Sequence, residues 1–162
     1  MGRLRDKPLV IRDALESDAA GIAALLVDSI RELCAADHGG ASDALDQWLS
    51  NKTSENIRQW LAHPQNLLLV AEFSGEIAAV GGLRTSGTVT LNYVAPAFRF
   101  QGVSKAMVAE LERRASHLGL KTLTLASTVT AHEFYRSLEY RDVAQPETKH
   151  GLLNYPMTKA IR

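Results

Sequence analysis

Apolar positions recur along the chain with two different periods, and the change between them divides the sequence. Ile22, Leu25, Leu26, Ile30 and Leu33 fall on one face of a helix, which Ser17 or Asp18 can cap. Before it, Leu9-Val-Ile11 suits a short strand. After it, His38-Gly-Gly40 breaks the pattern, and Leu45, Trp48 and Leu49 mark a second helical piece. Thr53 or Ser54 can cap a third, with Ile57, Trp60 and Leu61 inward and Pro64 just past its end. Trp48 and Trp60 lie on these apolar faces and are read as core residues.

From residue 67 the period shortens. Residues 67–73, 76–84 and 88–94 read as strands, with Ser74-Gly75 and Ser86-Gly87 supplying hairpin chemistry between them. An antiparallel meander is expected. Residues 104–118 then read as a long helix: Val103, Met107, Leu111, Ala115 and Leu118 repeat at near-helical spacing, and Gly119 is the expected C-cap. Residues 122–126 form a β-branched strand. Residues 130–138 form a short helix that Thr130 and Glu133 open as a capping box. Residues 140–143 and 153–158 read as closing strands. This order makes a mixed α/β sheet rather than a uniform βαβ alternation. No repeat or linker interrupts it, and 1–162 is read as a single domain.

The stretch Asn92-Tyr-Val-Ala-Pro-Ala-Phe-Arg-Phe-Gln-Gly-Val-Ser-Lys-Ala-Met107 carries the chemistry. Pro96 lacks an N–H and ends the strand. A short loop containing Gly102 leads into the long helix, whose first N–H groups have no intrahelical partners and point back into that loop. Such a terminus suits a phosphate or pyrophosphate, and Gly102 lets the backbone approach it. Arg99 and Lys105 stand where positive charge opposes the helix dipole, a term whose sign a bound polyanion would reverse. A glycine-containing turn with incidental charges is the plainer alternative. The P-loop pattern is absent from the sequence.

Arg99-Phe-Gln-Gly102-Val-Ser104 resembles the Gln/Arg-x-x-Gly-x-Gly/Ala signature of the GNAT-type N-acetyltransferases. Leu91-Asn-Tyr-Val-Ala-Pro96 is similar to that family's strand-then-proline approach. Ser127-Thr-Val-Thr-Ala-His-Glu-Phe-Tyr-Arg-Ser-Leu-Glu-Tyr140 resembles its second block, in which a tyrosine lies on a short helix. With the element order, the likeness covers most of residues 66–158. It implies a mixed, mostly antiparallel sheet with a splayed central strand pair, flanked by helices. It also implies acetyl-CoA as co-substrate, without a metal, and a small-molecule or peptide amine as acceptor. The pantetheine arm would pair with Asn92, Tyr93 and Val94, with Thr128 beside it. The pyrophosphate would lie on Arg99, Gln101, Gly102, Val103, Ser104 and Lys105. Tyr135 is implied as the acid that protonates the departing thiolate; simple packing on an apolar helix face is its structural alternative.

Three positions depart from the family pattern. Ser104 replaces the usual Gly or Ala and keeps its N–H. Thr128 stands where many members have Asn. Glu139 stands where Gly usually precedes the aromatic, which suggests a different bend into the next strand. No general base is singled out: Glu72, Asn92, Asp37 and His38 are candidates by chemistry and rough position only. His132 is read as a surface helix residue, and His38 as part of a breaker loop.

Composition adds limits. Eighteen Lys and Arg balance eighteen Asp and Glu, which argues against a nucleic-acid binder. Residues 99–121 nevertheless hold five basic side chains against two glutamates. The single cysteine, Cys34, excludes an internal disulfide and is read as a small buried hydrophobe. That favours direct transfer over an acetyl-cysteine route. No apolar run reaches the length of a membrane span, and the first eight residues lack the apolar stretch of a signal peptide. Asp6 occupies the place a myristoylation signal gives to Ser or Thr. A cytoplasmic enzyme without a membrane partner is expected, and a homodimer stays open because family members often dimerise. Two other classes stay open as well: a non-catalytic acyl-CoA-binding or regulatory domain of the same fold, and an interaction module without CoA.

Overall fold

The structure, a computed structural model, describes residues 8–162. The readings made on Gly2 and Asp6, and on the N-terminal stretch through residue 7, lie outside the described residues. The chain forms β1 (Leu9–Asp13), α1 (Ala19–Leu33), α2 (Ala35–His38), α3 (Ser42–Leu49), α4 (Ser54–Ala62), β2 (Asn66–Phe73), β3 (Glu76–Arg84) and β4 (Val89–Val94). It continues with α5 (Val103–His117), β5 (Thr122–Ser127), α6 (His132–Ser137), β6 (Arg141–Asp142), β7 (Glu147–Lys149) and β8 (Leu152–Ala160). Short 3-10 turns precede α1 and follow β4.

Two sheets result. One has the order β1-β2-β3-β4 and the other β5-β8-β6, with β7 pairing β8. Every pairing between named strands is antiparallel. Between β4 and β5 only a parallel bridge, Thr88 to Thr124, joins the sheets, supported by the Thr124 N–H donating to Gly87 O at 2.9 Å. Beyond it the two strands part. The expected mixed, mostly antiparallel sheet with a splayed central pair is therefore the observed one.

The first sheet is covered on both faces. Leu69, Ala71 and Ala79 pack with Val103, Met107 and Leu111 of α5. Leu68, Val70 and Val80 pack with Ile22, Leu26 and Ile57 of α1 and α4. This double cover explains why β2 reads as a continuous apolar run, whereas β5 alternates exposed and buried positions. Gly81 marks how closely α5 approaches: a Cβ there would lie 2.5 Å from Met107 Sδ.

Local details confirm some caps and correct others. The Thr53 hydroxyl accepts from the Asn56 N–H at 3.2 Å and caps α4 as expected. Asp18 stands before α1, but its carboxylate accepts from the Leu15 N–H at 2.7 Å and pairs with Arg12 at 2.8 Å instead of capping. The box of Thr130 and Glu133 does not form. Helix α6 starts two residues later, and the Thr128 hydroxyl accepts the Ala131 N–H at 3.1 Å. Thr130 is drawn away by Asp37, and Glu133 pairs with Arg136. His132 is no loose surface residue either. Its ring stacks on Tyr155 with centroids 3.8 Å apart, and Nε2 lies 2.7 Å from Asp142 Oδ1.

Glu139 meets the missing glycine of its block in an unexpected way. It adopts the left-handed conformation itself, at φ +73°. The Tyr140 N–H donates to Tyr135 O, and the Glu139 N–H to Arg136 O, each at 3.0 Å. That is a Schellman ending with glutamate at the position glycine prefers. The turn is thus made at the expense of strain, and no different bend is needed. Glu139→Gly is expected to stabilise the fold by about 0.5–1 kcal/mol, because the left-handed penalty exceeds the entropy glycine adds to the unfolded chain. A thermal melt should rise by about 1–4 °C. An unchanged or lower midpoint would show that the turn carries no strain.

Candidate functional site

The parting of β4 and β5 opens a cleft, and α6 closes its floor. Residues 89–93 of β4 face Leu125–Thr128, Ala131 and Tyr135 across it. Tyr135 is buried, with only 6% of its surface exposed. Asn92 Nδ2 donates to Tyr135 Oη at 3.2 Å. This contact uses a lone pair of the phenol and leaves the phenolic proton free to be donated. Burial pushes the Tyr135 phenol up to about 12, against a smaller opposing effect of the Asn92 hydrogen bond. The group therefore holds its proton throughout the neutral range. Asn92 Oδ1 is buried without a partner. Such an atom is costly to leave unpaired and suits a ligand that brings a donor.

The cleft runs on toward the start of α5. A cavity of about 190 Å³ there is lined by Asn92, Tyr93, Val94, Arg99, Ser104 and Thr128, together with residues of α1 and α6. Six of the ten positions expected to touch a cofactor thus meet at one cavity. The other four follow directly along the chain. Gly102 occupies the N-cap of α5 at φ +79°, and among the described residues no side chain caps this helix. The first helical bond is that of Ala106 N–H to Gly102 O, at 3.1 Å. The Val103, Ser104 and Lys105 amides precede it and point out of the helix end. The Val103 side chain is buried in the core, so only its backbone can serve a ligand. The Gln101 amide donates to Ala97 O at 3.3 Å and bridges the preceding loop.

Ion pairing sharpens the charge pattern of this segment. Arg113 and Arg114 both bind Glu110, at 2.6 and 2.9 Å. They hold its carboxyl down at about 2. Glu112 lies 2.5 Å from Lys159. Arg99 lies over the Phe100 ring, 4.3 Å from its centroid. Among the described residues neither Arg99 nor Lys105 has an acidic partner. Lys121, at the far end of the segment, is unpaired among them as well; Arg99 and Lys105 are the free cations beside the uncapped helix end, where dipole and charge both favour an anion.

Of the base candidates Asn92 lines the cleft but carries no basic group, and the other three do not converge on it. Glu72 is held by Arg12 at 3.2 Å. His38 is buried, with Nε2 bonded to Ile30 O at 3.0 Å and Nδ1 accepting the Gly40 N–H at 2.9 Å. It folds the breaker loop back on α1, as a structural residue does. Asp37 takes the Val129 N–H at 2.6 Å, the Thr130 N–H at 3.2 Å and the Thr130 hydroxyl. It ties α2 to the loop between β5 and α6 across the mouth of the cleft. Nothing in the spacing of residues 37 and 130 announced this anchor. Cys34 lines the cavity near Ser104, but burial pushes its thiol up to about 12. A thiol so raised is a poor nucleophile at neutral pH.

A second cavity lies on the α1 and α4 side of the first sheet. It has a volume of about 290 Å³ and is walled by Trp60, with Lys52 and Arg84 at its edge. Trp60 is half-buried rather than a full core residue. Among the described residues no helix is long and apolar enough to cross a membrane.

The sequence profile described as an acetyltransferase (GNAT) domain matches residues 34–161. Among solved structures, the chain is similar to a GCN5-related N-acetyltransferase from Rhodopseudomonas palustris. That match has a TM-score of 0.84 and 26% identity, and covers 94% of this chain and 95% of the other. It is also similar to the PaiA N-acetyltransferase of Thermoplasma acidophilum, solved in complex with coenzyme A. Here the TM-score is 0.80 and the identity 14%, with 94% and 99% covered. A third likeness is to YncA of Salmonella typhimurium, a putative acetyltransferase solved with acetyl-CoA, at TM-score 0.65 and 21% identity over 95% and 94%. No curated protein sequence matches.

Proposed function

Because the chain belongs to the GNAT acetyltransferase family, we propose that it is an N-acetyltransferase that moves an acetyl group from acetyl-CoA directly to an amine within a ternary complex. The observation that carries this reading is the cleft between β4 and β5, with Tyr135 at one end and the uncapped start of α5 at the other. The neighbours solved with coenzyme A or acetyl-CoA support the same co-substrate here.

The residues fit that group. The Val103–Lys105 amides, with Arg99 and Lys105, would hold the pyrophosphate. The β4 backbone at Asn92–Val94 lacks a pairing strand along the parted edge and would hold the pantetheine amides. Acetyl-CoA supplies an activated thioester. The chain then has three tasks: to exclude water, to align the amine with the carbonyl, and to return a proton to sulfur. A nitrogen–carbon bond forms and the carbon–sulfur bond breaks. Tyr135 delivers its phenolic proton to the sulfur and recovers one from the proton the amine gives up. Among the described residues no carboxylate or imidazole lines the cleft, so the amine loses its ammonium proton to solvent before attack.

A pH profile follows. At low amine concentration the rate should rise tenfold per pH unit up to the acceptor's own pKa and then level. Tyr135 adds no falling limb up to about pH 10, because it stays protonated until about 12. A fall beginning near neutrality would contradict the assignment of Tyr135. The test of the whole reading is thiol release from acetyl-CoA against a panel of amines, beside calorimetric titration with acetyl-CoA. Amine-dependent release supports the enzyme. Binding without release for any amine would leave the non-catalytic CoA-binding domain, and no binding at millimolar ligand would remove both.

A further inference from the structure

We propose that the cavity beside Trp60 is the acceptor pocket, and that Lys52 and Arg84 select an amine that also carries a carboxylate. This rests on the acetyltransferase reading and adds the substrate class. The cavity lies on the α1 and α4 side of the first sheet, and Thr90 and Leu91 line both it and the β4–β5 cleft. Leu91 and Thr90 stand one and two residues along β4 from Asn92, whose side chain meets Tyr135, so a molecule seated against Trp60 can reach toward the cleft. The volume of about 290 Å³ is at the small end for ligand sites. It suits an amino acid or a comparably small amine rather than a peptide or an oligosaccharide.

Charge narrows the class further. No Asp or Glu lines the cavity. Lys52, on the turn between α3 and α4, is partly buried, and its ammonium donates to Asn51 Oδ1 at 2.6 Å. It stands 5.9 Å from the centre of the Trp60 ring. Burial pushes its pKa down, the mark of a cation short of compensation. Arg84 ends β3 on the same rim and is exposed. Among the described residues neither cation has an acidic partner. Two cations and two side-chain amides, those of Asn51 and Asn66, face one small space. A carboxylate placed there gains charge-assisted hydrogen bonds. A polycation such as a polyamine or an aminoglycoside is repelled, because nothing on the wall balances its charge. The Trp60 face leaves room for an apolar or aromatic side chain.

The test is a matched comparison of L-amino acids with their own carboxamides and with spermidine, scored by thiol release. The free acids should show kcat/KM roughly tenfold or more above the carboxamides, and spermidine should be a poor acceptor. Lys52→Gln and Arg84→Gln should each raise KM for the acids severalfold to tenfold, leave KM for acetyl-CoA unchanged, and narrow the gap to the carboxamides. Arg84 is exposed, so its variant serves as the fold-neutral control, with a thermal melt for both. Equal use of acids and carboxamides, or preference for spermidine, overturns the proposal. If no amine releases thiol, the acetyltransferase reading fails by itself. Calorimetric titration with the same acids then decides the pocket: binding to the wild type that Lys52→Gln abolishes supports it, and no binding overturns it.

Discussion

Replacing Tyr135 by phenylalanine is expected to lower the acetyl-transfer rate at saturating substrates about a hundredfold while acetyl-CoA affinity stays within about twofold. The ring is kept, so the contacts of Tyr135 with Phe134 and Tyr140, at centroid distances of 5.3 and 5.5 Å, survive the change. Only the hydroxyl is lost, and with it the proton donor and the partner of Asn92. A general acid typically contributes two to four powers of ten; the lower figure applies because water can enter the vacated space. Stability should fall by about 1 kcal/mol at most, since the Asn92 amide loses one partner. The control is Asn92→Ala. It leaves the phenol in place without its orienting donor, and should reduce turnover less than Tyr135→Phe does. Unchanged turnover in Tyr135→Phe, with intact folding, would assign Tyr135 to packing alone.

Gly102→Val is expected to weaken acetyl-CoA binding roughly tenfold or more, with a thermal midpoint only a few degrees lower. Gly102 sits at φ +79°, and a Cβ there would meet nothing within 4 Å. The variant therefore suffers no clash, and its difficulty is conformational. A β-branched residue held in the left-handed region costs about 1–2 kcal/mol or more. The loop relieves this strain by rotating toward negative φ. That rotation turns the Val103, Ser104 and Lys105 amides away from their common focus. Affinity for a pyrophosphate falls because a preorganised set of donors has been scattered. Gly102→Ala should lie between wild type and Gly102→Val. Titration with coenzyme A reads the effect without any acceptor. Undiminished affinity in the valine variant would mean that the start of α5 does not hold the phosphates.

Much of this architecture was legible because its signals are local. The apolar face of α1, the continuous apolar run of β2 and the Ser-Gly turn between β2 and β3 each depend on residues close in sequence. The candidate cofactor positions were legible for the same reason, since ten of them lie on one strand–turn–helix and the segment after β5. What escaped was set by partners far along the chain. Thr130 has the sequence of a cap, yet Asp37 claims its hydroxyl across 93 positions. His132 has the sequence of a surface residue, yet Asp142 and Tyr155 enclose it. Glu139 takes a left-handed conformation that no propensity assigns to glutamate. The second cavity was invisible because Lys52, Trp60, Arg84 and Thr90 come from four separate elements. Lys52 and Arg84 are 32 positions apart, and only the fold brings them to one cavity.

Direct transfer within the β4–β5 cleft is the central claim, and initial-rate kinetics with both substrates varied test it most directly. The rates of thiol release, plotted reciprocally against acetyl-CoA at several fixed amine concentrations, should give intersecting lines, as a ternary complex requires. Parallel lines, accompanied by an acetyl group on the protein after incubation with acetyl-CoA alone, would contradict it and place Cys34 or another nucleophile in the pathway.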